Sequence, residues 1–243
     1  MADAGRRAQL AASLAEVRER IARACDAAGR SPEAVTLVAV TKTYPASDVV
    51  LLAELGVTDV GENRDQEAAP KAAAARAEGA KLRWHYIGQL QRNKARSVAG
   101  YADVVESVDS QRLVEALEHA VARRPEPADD RTIRRLEVLV QVSIDGDAAR
   151  GGAAGDDLWR VSDAVAAADG LRLGGLMAVA PLGWDPDRAF EQLAALSARL
   201  AAAHPGATTV SAGMSADLEA AVRHGATHVR IGTSLLGMRN LLR

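Results

Sequence analysis

The chain has 243 residues, 48% hydrophobic and 26% charged, which allows a sizeable core and excludes extended disorder. Its net charge of −2, with the 30 basic residues scattered along the chain, argues against a general nucleic-acid or anionic-membrane binder. Cys25 is the one cysteine, which excludes an internal disulfide and a cysteine-based zinc site and fits a reducing cytoplasm. The N-terminal stretch lacks the continuous apolar run of a signal peptide, and nothing approaches the roughly 20 apolar residues of a membrane span.

In chain order, Leu10, Leu14, Val17 and Ile21 recur at helical spacing and predict an amphipathic helix ending near Gly29. The strand candidates that follow are VTLVAVT (35–41), TDVGE (58–62), RWHYIG (83–88), DVVESV (103–108), RLEVLVQVSI (135–144), LRLGGLMAV (171–179), ATTVSA (207–212) and THVRIG (227–232). Helical stretches lie between them, among them 48–56, 111–124 and 187–204. Strands that alternate with helices eight times predict a (β/α)8 TIM barrel, an α/β fold, here with an extra N-terminal helix. A doubly wound open sheet is the rival, but eight units and a leading helix fit closure better. No linker interrupts residues 1–243, so one domain is expected; RRPEPADDR (123–131) reads as a surface loop and ARGGAAGDD (149–157) as a flexible point. The GxxxxGK[ST] phosphate loop is absent.

In such a barrel, functional groups collect where strands end. Val38, Val40 and Lys42 share one face of their strand, so branched valines would fill the interior and leave Lys42 at the mouth. Desolvation there would lower its pKa and favour the free amine that attacks a carbonyl; the plainer alternative is a strand-end lysine that snorkels to water. Near the C-terminus, Ser211 and Gly213 close one strand, and Ser215 precedes Asp217 and a helical run as an N-cap would. The next strand ends in Ile231-Gly232-Thr233-Ser234. Two adjacent strand ends thus offer hydroxyls and approachable backbone N–H groups where a barrel usually holds phosphate. Arg230 alternates inward with His228, and it needs either an anion or a buried carboxylate such as Glu62.

A lysine, a phosphate cradle and an inward arginine around one mouth suggest a phosphorylated carbonyl compound held as a Schiff base, of which pyridoxal 5′-phosphate (PLP) is the best known. The segments VAVTKTYP, GENRDQE, WHYIGQLQRNK, ESVDS, GLMAVAP and SAGMSADLEAAVRHGATHVRIGTSLLG, in this order, resemble the pyridoxal phosphate homeostasis protein family from about residue 35 to 240. The resemblance implies the fold-type III barrel, similar to the N-terminal domain of alanine racemase, with PLP as its cofactor. It places the internal aldimine on Lys42, phosphate contacts on Ser211, Ser215, Gly232 and Thr233, Arg230 opposite the pyridine nitrogen, and Asn63 along the ring pocket. Two positions depart from the family pattern: Ala212 stands where methionine is common, and Arg64 where tyrosine is common.

The resemblance also implies a PLP homeostasis role without an accepted reaction; the leading expectation is an intracellular carrier that releases cofactor to PLP-dependent apoenzymes, and a monomer, since nothing demands a dimer. A fold-type III racemase needs a second, mainly β domain and a tyrosine acid/base, and the expectation is that neither is supplied here. The alternatives are a small single-domain racemase using Lys42 as a base and a cofactor-free Schiff-base aldolase. His224 and His228 are expected on a loop and a strand, not as a metal pair, and His85 as a satisfied core histidine. QLQRNKAR (89–96) reads as a solvated basic helix start.

Overall fold

The computed structural model describes residues 2–124, 135–147 and 150–237. Most of the loop expected at 123–131 lies outside them, as does Ala149 of the second flexible point. Eight strands, β1 (Thr36–Val40), β2 (Asp59–Glu62), β3 (Arg83–Tyr86), β4 (Val104–Val108), β5 (Leu136–Val142), β6 (Leu171–Ala178), β7 (Thr209–Ser211) and β8 (His228–Ile231), pair in parallel and in sequence order. β8 pairs with β1 and closes the barrel. Each observed strand falls within its predicted stretch, and the longest, β5 and β6, are rich in the valine and leucine that suit strands buried on both faces.

The helices are α1 (Ala2–Ala27), α2 (Ala46–Glu54), α3 (Asp65–Ala77), α4 (Ala95–Tyr101), α5 (Gln111–Val121), α6 (Asp156–Ala167), α7 (Pro186–Ala203), α8 (Leu218–Arg223) and α9 (Thr233–Leu236). α1 buries Leu10, Leu14, Val17 and Ile21, the stripe expected from the spacing, and Cys25 one turn further on. It packs along α8, α9 and α2. Arg20 reinforces that docking by donating to Glu219 and to the Ser215 carbonyl, and Arg6 by donating to Asp48 and the Leu236 carbonyl.

Alternation along the strands separates two environments. Ala39, Val60, Val138, Val140 and Leu176 face the helices and join one extensive apolar cluster. Val104, Leu139 and Met177 form a small apolar group apart from it, inside the barrel. Gly175, at φ +149°, is the point where β6 and β7 come closest: a Cβ there would lie 2.0 Å from the Thr209 carbonyl oxygen. Only glycine fits such an approach.

Candidate functional site

Lys42 lies just past the end of β1, and the alternation that puts Val38 and Val40 inside the barrel holds. A Cβ on Gly61 of β2 would touch Val38, Val40 and Ile87. Lys42 itself is exposed, so the surrounding protein groups do not supply the desolvation expected from the sequence. The turn after it is tightly specified. Thr43 takes φ +69°, unusual for a β-branched residue, and its N–H donates to Glu67 of α3 at 3.0 Å.

Beside that turn, Thr41 is buried and donates to Glu62 Oε1 at 2.6 Å. Lys71 of α3 reaches the same carboxylate oxygen at 2.5 Å and the Thr41 carbonyl at 2.8 Å. Glu62 therefore points out of the barrel towards α3 and cannot be the partner of Arg230, as the sequence alternative had it. Burial raises the Glu62 pKa, and the bond from Lys71 only partly opposes this. At the end of β2, the buried Oδ1 of Asn63 meets no donor among the described residues. Gly88 brings the end of β3 onto that residue: a Cβ there would lie 2.1 Å from the Asn63 carbonyl oxygen. Arg64 projects outward and pairs with Glu67 at 3.7 Å.

Arg230 points inward, as its alternation with His228 predicts, and is 4% exposed. Its Nη1 donates to Ser211 Oγ at 2.7 Å and its Nη2 to the Ala178 carbonyl at 2.8 Å. The carboxylate that balances it is Glu106 of β4, fully buried, at 3.8 Å, with Ser211 Oγ donating to Glu106 Oε2 at 2.6 Å. Glu106 Oε1 meets His85 Nδ1 at 2.7 Å, and His85 Nε2 meets Asp59 Oδ1 at 2.9 Å. A chain of bonded groups, Asp59–His85–Glu106–Ser211–Arg230, thus crosses the barrel interior.

A ring flanked by carboxylates at both nitrogens must donate from both, so His85 is an imidazolium. Burial alone would lower its pKa, but the hydrogen bonds and charges of Asp59 and Glu106 raise it. Burial likewise pushes Glu106 up, yet His85 and Arg230 hold it down to about 2. His228, with its ring 5.9 Å from His85, is pushed down to about 4 by burial and by the His85 charge, and so stays neutral. The chain therefore balances two carboxylates against an imidazolium and a guanidinium, which is what makes ionic groups tolerable in a core.

At the C-terminal end of β7, the Ser211 hydroxyl is committed to Glu106 and Arg230. Ser215 is half-buried in the following turn, and Asp217, not Ser215, is the N-cap residue of α8. Asp217 Oδ1 accepts the Met214 N–H at 2.6 Å. Gly232 is the N-cap residue of α9, with Thr233 and Ser234 exposed beyond it. A Cβ on Gly232 would stand 3.4 Å from Val40, so the β8–α9 turn abuts the end of β1. Lys42, Asn63, Ser211, Ser215, Arg230, Gly232 and Thr233 therefore gather at the ends of four strands, β7, β8, β1 and β2, which are neighbours only because the barrel closes.

The basic run at 89–96 forms a short 3-10 turn (Arg92–Lys94) leading into α4, with Arg92 and Arg96 exposed. His224 bonds Asp187 at 2.9 Å, far from any shared role with His228, and no metal-binding cluster occurs among the described residues. Lys71, Glu106 and Asp59 escaped the sequence reading. For Glu106 a signal existed: a carboxylate in a strand whose other residues are three valines and a serine.

The sequence model of the alanine racemase N-terminal domain matches residues 12–240. The pyridoxal phosphate homeostasis protein of Mycobacterium leprae is 46% identical, over 97% of this chain and 95% of that protein. The chain belongs to the pyridoxal phosphate homeostasis protein family. A relative of the same name in Escherichia coli K12 is 38% identical over 95% of this chain and 97% of its own length. Among solved structures, PipY of Synechococcus elongatus PCC7942, determined with PLP bound, is 32% identical with a TM-score of 0.78. The match covers 94% of this chain and 100% of PipY.

Proposed function

We propose that this chain binds PLP in the barrel mouth and serves PLP homeostasis by holding and releasing the cofactor. The observation that carries this reading is the convergence of Lys42 and Arg230 across the β8–β1 seam. One offers a primary amine at the rim; the other, opposite Val38 in the strand register, is a fixed guanidinium deeper in the barrel. The residues present fit such a group. Asn63 has an unsatisfied amide oxygen at the same end of the barrel, and the turns at Ser215 and at Gly232-Thr233 offer hydroxyls and backbone N–H groups for a phosphate. When bound, PLP supplies an aldehyde that takes a primary amine and a ring that withdraws electrons. Lys42 is the amine assigned to it. Arg230 has no acceptor and does not give up its proton, so a pyridine nitrogen facing it is left unprotonated and its electron withdrawal is curbed. Glu106 and Ser211 hold that guanidinium in place, and we assign the Ser211 hydroxyl to this task in preference to the phosphate.

Binding without turnover is the finer part of the proposal. Of the three tyrosines, Tyr101 is buried with its hydroxyl unsatisfied, and Tyr86 donates to the Asn63 carbonyl at 3.5 Å. Burial raises the pKa of both, which disfavours the phenolate that a base would need. Tyr44 donates to the Gly237 carbonyl. Among the described residues Val179, Leu182 and Met214 are the exposed large apolar side chains, and so small a number supports a monomer. No described helix is long and apolar enough to cross a membrane. Delivery to PLP-dependent apoenzymes in the cytoplasm completes the reading.

Borohydride reduction of the purified protein with PLP, followed by peptide mass mapping, tests the site. A pyridoxyl adduct confined to Lys42 is expected, and label spread over surface lysines would overturn the assignment. Amino-acid Cα exchange in deuterated buffer tests the absence of turnover: a rate above that of free PLP would favour the racemase reading.

A further inference from the structure

At the opposite end of the barrel, where β3 to β6 begin, the fold assembles a second feature that does not depend on PLP binding. A cavity of about 670 Å3 opens there, within the range of small-molecule sites. Arg76, Lys81, Arg83, Arg135 and Arg172 line it, coming from α3, the loop before β3, and the starts of β3, β5 and β6. Two carboxylates, Glu137 and Asp103, oppose these five cations and leave a surplus of three positive charges in a chain whose net charge is −2.

The two carboxylates are already engaged. Glu137 is buried, and its Oε2 serves Arg83 and Arg172 together. Gly174 makes room for it: a Cβ there would lie 2.5 Å from Glu137 Oε1. Asp103 accepts the Trp84 N–H at 2.9 Å. Arg76, Lys81 and Arg135 are exposed at the rim, without an ion pair among the described residues. Burial and the neighbouring Arg83 charge depress the Arg172 pKa. Trp84 gives the cavity an apolar wall.

We propose that this cavity is a binding site for a small phosphorylated molecule carrying more than one negative charge. Planar guanidinium forks converging on one concave space suit the paired oxygens of phosphoryl groups. The size of the cavity suits a metabolite, and its place at the strand starts separates it from the mouth.

Pyrophosphate is the probe, titrated calorimetrically at near-physiological salt into the native protein and its variants. Saturable binding at one site per chain is expected for the native protein. The double variant Arg76→Glu/Arg135→Glu should weaken it by about tenfold or more, equal to ~1.4 kcal/mol per factor of ten. Arg160→Glu, the same charge change on an exposed residue of α6 outside both sites, should leave it unchanged. Both altered floor residues are exposed, so folding should survive; circular dichroism verifies this, and Arg135→Ala gives a milder second test in the same direction. Absence of saturable binding, or binding indifferent to the floor variants, would overturn the proposal. Neither result would bear on Lys42 labelling, so the two sites stand or fall separately.

Discussion

The layer between strands and helices and the space inside the strands are built on opposite principles. The outer layer is almost wholly apolar, with Leu52, Leu117, Leu193 and Leu200 fully buried. The inner space holds the small apolar group of Val104, Leu139 and Met177 and the inward valines Val38 and Val40, and gives much of its middle to Asp59, His85, Glu106 and Arg230. Hydrophobic burial in the outer layer is non-directional and tolerates variation. The inner chain is directional, since each group has a fixed partner and each loss leaves another group unpaired. The difference teaches that outer residues hold the barrel closed, while inner residues specify where one guanidinium points.

The sharpest way to break this contrast is Glu106→Ala. It strands Arg230 and His85 in the core, and chemical denaturation should show a loss of about 3–5 kcal/mol. PLP affinity should fall with it, because the guanidinium loses its anchor. Leu117→Ala, in the outer layer, should cost about 2–5 kcal/mol of stability through its cavity. Its PLP affinity, measured well below the unfolding midpoint, should stay near that of the native protein. If both variants lost stability and affinity in the same proportion, the separation of roles would be wrong.

Acidity should expose the inner space next. His228 is held down to about 4 in the fold against an ordinary value of 6.5, so the unfolded chain binds more protons between those values and stability falls as pH drops through them. Glu106, held to about 2, adds a further loss from its ordinary 4.5 downward. His85 is shifted upward, so its contribution is complete below 6.5 and is lost as pH rises through its folded pKa. Stability measured against pH should therefore peak between these limbs, and His228→Asn should flatten the limb between 6.5 and 4. The smallest effect belongs to the rim: Lys42→Ala should change stability by no more than about 0.5 kcal/mol, as for an exposed side chain, and abolish the pyridoxyl adduct. A large loss of stability would mean that Lys42 packs against the barrel as well as binding.

Much of this was legible in the chain. The period of two in VTLVAVT and THVRIG identified the inward valines and the inward Arg230, and the spacing of Leu10, Leu14, Val17 and Ile21 identified the buried stripe of α1. What stayed hidden depends on closure. The carboxylate opposite Arg230 is set by how β4 and β8 face one another across the interior, so Glu62 and Glu106 cannot be distinguished by alternation alone. Lys71, one lysine on a helix of mostly small and polar residues, carries no mark of burial. The basic residues of the floor are spread from Arg76 to Arg172 and look scattered until parallel strands align their starts. Lys42 was placed correctly at a strand end, but its exposure follows from the path of the Thr43 turn, which no periodicity describes.

The seam between β8 and β1 also dates the site in the life of the protein. A chain emerging from the ribosome presents Lys42 early, yet Arg230 and the Gly232-Thr233 turn are made nearly two hundred residues later. Until the last strand docks against the first, the amine has no guanidinium and no phosphate turn beside it. Retention of the cofactor in the way proposed is therefore reserved for finished molecules, because nascent or truncated chains offer the amine without the guanidinium and the phosphate turn.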